Sequence, residues 1–90
     1  MKQFDFGEAL KRLKAGRKVA RMGWNGKGMF LYYVGWDKYP AKTDIAKTFA
    51  DRDSKVTYHS YIAIKTTQGY VIPWLASQAD MLDEDWVEVE

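Results

Sequence analysis

Ninety residues make one domain, and a chain of this length buries somewhat more than roughly 60% of the surface its unfolded form exposes, so its core is modest. Hydrophobic residues at 47%, charged residues at 29% and no low-complexity run describe a globular chain, and the absence of cysteine excludes a disulfide scaffold and a thiolate metal site. The net charge of +2 hides an asymmetry: residues 1–28 hold eight Lys/Arg against two acids, whereas residues 66–90 hold six acids and neither Lys nor Arg.

The chain opens with a helix. Asp5 and Glu8 have the spacing of a capping box, Phe6, Leu10 and Leu13 recur at i, i+4 and i+7, and Gly16 supplies a left-handed stop. Together they predict a helix over about 6–15. Lys18 to Arg21 reads as a short strand, with Val19 and Arg21 on one side and Ala20 on the other. Met29 to Val34 reads as a second, so "MGWNGKGMF" is their connection. Residues 35–60 carry less pattern. "TDIAKTFAD" fits a short helix capped by Thr43 or Asp44, "RDSKVTYHS" reads as loop, and the whole stretch is expected to be a variable insertion. Order returns with Tyr61 to Lys65, which Thr67-Gln68-Gly69 turns into Tyr70 to Trp74 as a hairpin. Ser77 with Asp80 caps about two helical turns that place Met81 and Leu82 inward. "DWVEVE" closes as a strand in which Trp86, Glu88 and Glu90 alternate with Val87 and Val89. The sum is a small single-domain α+β fold, with an antiparallel sheet of four to five strands and two or three short helices.

The charge asymmetry predicts that the two ends lie beside each other, within one chain or between subunits. Nucleic-acid binders more often carry a uniformly basic surface, so no nucleic-acid partner is expected, while a small phosphate ligand stays open. "MKQFDFGEAL" has no apolar h-region and no apolar run approaches ~18 residues, so neither export nor membrane insertion is expected. The expected compartment is the cytoplasm.

Catalytic equipment is thin. His59 is the only histidine and has no Cys or second His beside it. Asp80, Asp83, Glu84 and Asp85 scatter around a short helix without a calcium-loop pattern, which reads as a solvated acidic face apart from Asp80 near the cap. No catalytic residue, metal ligand or cofactor is expected. "GWNGKG" is not a Walker loop, since no Ser or Thr follows Lys27 and no helix follows the glycines. Its glycines can nonetheless expose amides in a concave nest, with Arg21 and Lys27 bracketing them, Trp24 offering a stacking face and Asn25 a paired donor and acceptor. A plain hairpin turn and a nucleotide-like site fit these residues equally. "PWLASQAD" is the second candidate, either an ordinary strand-to-helix junction with a core Trp or an anion site at the amides of a helix start.

Taken as an ordered set, "FGEALKRLKAGRKVARMGWNGKGMF" followed by "YIAIKTTQGYVIPWLASQADMLDEDWVEV" closely resembles the second type of Thoeris anti-defence proteins, a small phage and prophage family. The resemblance covers about residues 4–34 and 61–89. It implies one ligand-sequestering domain over 1–90, a sponge and not an enzyme. Such a sponge binds the Thoeris immune signal, a glycocyclic ADP-ribose, without cleaving it, in the host cytoplasm during infection. It also implies a homotetramer with pockets shared between protomers. Some relatives are associated with cyclic dinucleotides, and a small hydrolase of cyclic nucleotides is the enzymatic alternative. Carried over by motif, Trp24 and Trp74 would wall the adenine and ribose, and Arg21, Lys27 and the amides of Gly26 and Gly28 would meet the pyrophosphate. Asn25, Ser77, Gln78 and Asp80 would read hydroxyls or the base edge, with Met29 and Phe30 lining the floor.

Overall fold

The computed structural model describes residues 2–24 and 28–90. Helix α1 (Phe6–Lys14) is capped by Asp5, whose carboxylate accepts the Glu8 amide at 2.9 Å. Only that half of the expected box forms, because Glu8 turns instead to the Arg12 Nε one helical turn away. At the other end Gly16 adopts φ 87°, its amide reaches the Leu13 carbonyl and the Arg17 amide reaches that of Arg12. This is a Schellman stop, and it satisfies two carbonyls that the helix end would otherwise orphan.

Strands β1 (Lys18–Arg21), β2 (Phe30–Val34), β5 (Tyr61–Lys65), β6 (Val71–Pro73) and β7 (Trp86–Val89) form an antiparallel sheet in the order β6-β5-β2-β1-β7. Helix α1 covers one face, where Ala9 and Leu13 pack with Phe4, Val19, Leu31 and Trp86, joined by Phe6, Leu10, Trp24, Ile62, Ile64 and Trp74. The fold class and the apolar helix face are as the sequence predicts. In β1 both faces are buried, since Ala20 is covered as well as Val19.

Two local expectations are corrected. Within "RDSKVTYHS", Lys55–Tyr58 is strand β4, paired with β3 (Asp37–Pro40) in a separate two-stranded sheet. Its partner contains Asp and Pro, and α2 (Asp44–Lys47) lies between them, so no short turn signal announces the pairing. The helix itself starts as expected, with Thr43 accepting the Ala46 amide. The second correction concerns α3 (Gln78–Leu82), where Met81 and Leu82 are 46% and 75% exposed. Asp80 takes the inward position through Arg21, which rotates the next two residues by about 100° and 200° away from the core.

Candidate functional site

The end of β1 delivers Arg21, and the chain then turns: the Met22 amide donates to the Asp85 carbonyl at 2.9 Å and the Trp24 amide to the Arg21 carbonyl at 3.2 Å. Opposite, Pro73 ends β6, and the Trp74 amide still donates to Ile62, so the indole leaves the sheet on the α1 side. Trp24 and Trp74 thereby meet a common hub. Their rings stand edge-on to the buried Trp86, at 5.6 and 6.0 Å between centroids, and Phe6 fills the remaining side at 5.4 Å. The hub is fixed by its own N–H, which donates to the Asp80 carbonyl at 2.8 Å. Packed edge-on in this way, each outer Trp is half-buried.

A second tie joins the same two segments. Arg21 donates from Nε to Asp85 at 2.8 Å, from Nη1 to Asp80 at 2.9 Å, and from Nη2 to both Asp83 and Asp85. These carboxylates, Asp85 first and then Asp80, hold the guanidinium even more firmly protonated than usual. Asp80 also accepts the Ser77 amide at 2.9 Å while its own amide donates to the Ser77 hydroxyl at 3.1 Å, a complete capping box. Burial would raise the Asp80 carboxyl, but the Ser77 amide and Arg21 outweigh it and hold the group below its ordinary value.

The family model described as the Thoeris anti-defense 2-like domain matches residues 4–89 of this chain. The protein belongs to that family. It is also similar to Thoeris anti-defense 2 of Bacillus phage SP01, being 39% identical over 84 residues that cover 93% of this chain and 92% of the relative.

In this Thoeris anti-defense 2-like chain the structure brings Arg21, Trp24, Trp74, Ser77 and Asp80 into one constellation around Trp86. Gln78 opens α3 with an exposed side chain, and Met29 is half-buried ahead of β2. Gly28 has φ 84°, a conformation that glycine adopts freely. Asn25, Gly26 and Lys27 lie outside the described residues. Phe30 is not part of the constellation: Leu31 is buried under α1, so Phe30 and Tyr32 point to the opposite face.

Sequence reasoning missed the Trp86 hub, and read Asp83 and Asp85 as solvated when both engage Arg21. The signal for the latter was the charge asymmetry. Its two ends pair within one chain, since Arg12 and Arg17 also meet Glu88 at 3.0 and 2.8 Å.

Proposed function

We propose that this protein binds and sequesters, without cleaving it, a cyclic ADP-ribose-type signal of Thoeris immunity, glycocyclic ADP-ribose, in the host cytoplasm, and so blocks effector activation. The observation that supports the reading is the packing of Trp24 and Trp74, both half-buried, edge-on against the same Trp86, which gathers two rings of the kind that stack on a base. The family's name sets the protein against Thoeris immunity, and a signal of that system is the ligand this reading assigns to the tryptophans. In this reading Lys27 and the amides of Gly26 and Gly28 meet the pyrophosphate, while Asn25 and Gln78 read hydroxyls. Arg21, with three carboxylates around it, acts by holding α3 against the turn and not as a phosphate ligand. Asp80 and Ser77 are likewise occupied with each other, which favours a binder over an acid–base catalyst.

The protein acts as a homotetramer with pockets shared between protomers. Supporting this, exposed Tyr70, Ile72, Leu75 and Leu82 flank Trp74 and α3, an apolar rim that a neighbouring copy would cover. Nanomolar capture requires about 12 kcal/mol of binding free energy, which an enclosed stacking site supplies better than a surface patch. The test is depletion of glycocyclic ADP-ribose from solution, followed by heating and mass spectrometry of the released ligand. Intact ligand is expected, and Trp74→Ala should weaken capture by more than roughly tenfold. Recovery of a cleaved product would make the protein a hydrolase, and no depletion would remove the reading altogether.

A further inference from the structure

We propose that the sheet face opposite α1 carries a second, separate ligand site: a basin in which Lys18 and Lys65 hold the phosphates of a nucleoside diphosphate, with its base against Phe30 and Tyr32. This goes beyond the sequestration reading and uses none of its tryptophans. The pairing Phe30↔Lys65↔Val71 sets these residues in one row across β2, β5 and β6, and Lys18 enters from β1. With Gly16 and Tyr32 they line a cavity of about 430 Å³, within the range of small-ligand pockets.

The lining of this basin is basic, with Lys18 and Lys65 its charged side chains among the described residues. Arg12, Arg17 and Arg21 each have carboxylate partners, whereas among the described residues neither Lys18 nor Lys65 forms an ion pair. Among the described residues no carboxylate lines the cavity. Both ammonium groups approach one ring, at 4.9 and 5.7 Å from the Phe30 centroid. Two like charges converging on one aromatic floor repel, and a bound dianion relieves that repulsion. Lys65 spends one of its three donors on the Gly28 carbonyl at 2.9 Å, which fixes the ammonium and leaves two donors for an oxyanion. Phe30 and Tyr32, 6.1 Å apart and tilted by 59°, form an angled apolar surface beside the charges. A bare phosphate would use the lysines and not the rings, and a bare nucleoside the reverse. The ligand that uses both is a phosphorylated one with a flat ring.

Calorimetric titration of ADP, adenosine and inorganic pyrophosphate into the full chain at low ionic strength tests this. ADP should bind, and adenosine and pyrophosphate should each bind at least roughly tenfold more weakly. K18Q and K65Q should each weaken ADP by roughly tenfold, and K65R should restore most of the loss, with circular dichroism confirming that each variant folds. W74A should keep ADP binding even as its capture of glycocyclic ADP-ribose is measured separately, so the two readings fail independently. Absence of ADP binding, ADP binding unchanged in K18Q and K65Q, or its loss in W74A would overturn the basin.

Discussion

At Arg21 one side chain does the work of several contacts. It joins the end of β1 to Asp80 in α3 and to Asp83 and Asp85 on the way into β7, so the tryptophan hub is held from outside as well as by its own packing. Replacing Asp80 by Ala removes the reciprocal half of the α3 cap and one Arg21 partner, and should cost about 1–2 kcal/mol in urea denaturation. The pH dependence has a definite sign. Asp80 titrates below its ordinary 3.8 in the folded chain, so in acid the unfolded chain binds more protons. Glu88, held down chiefly by Arg17 with Arg12 assisting, behaves in the same way. Their stabilisation is complete above the ordinary carboxylate range and is lost as pH falls below about 4. Urea midpoints measured from pH 7 to 3 should show this loss, and Asp80→Asn should flatten the slope.

Among the elements, α3 and the β3–β4 hairpin show how short pieces depend on their surroundings. Five residues of α3 cannot bury a full apolar stripe, and the Arg21–Asp80 pair decides which side faces in. Met81→Gln and Leu82→Ser should therefore each change monomer stability by no more than about 0.5 kcal/mol, a result that thermal unfolding of dilute protein can check. The hairpin is a different case. Val34 pairs directly with Tyr61, so residues 35–60 extend what is otherwise a β2–β5 hairpin. Within it β3 and β4 pack chiefly on each other, with Asp51 accepting the Asp53 and Lys55 amides at the turn. Replacing Gly35–Ser60 by Asn-Gly, a pair suited to a two-residue hairpin turn, should leave the five-stranded sheet cooperative by circular dichroism and denaturant unfolding.

On the scale of the whole molecule, the sheet has α1 on one face, and an apolar rim of Tyr70, Ile72, Leu75 and Leu82 lies along β6 and α3. Leu75, at 91% exposure, is the most conspicuous of these. Native mass spectrometry should report a tetramer. Leu75→Glu should shift it towards smaller species and weaken capture of the signal, without unfolding the chain.

Much of this was decided by the sequence itself. The α1 stripe of Phe6, Leu10 and Leu13, its stop at Gly16, the five strands and the Ser77 cap are local features, set by side-chain periodicity and by backbone freedom within a few residues. The two tryptophan motifs were legible as well, because their residues stand together in the chain. What the sequence left open was which of these pieces would meet. Only the tertiary structure placed Trp24 and Trp74 on the same Trp86, turned Phe30 to the other face beside Lys18 and Lys65, and closed the basic and acidic ends onto each other within one chain. Register between strands and the orientation of a five-residue helix depend on partners far away in sequence, and no local pattern records them.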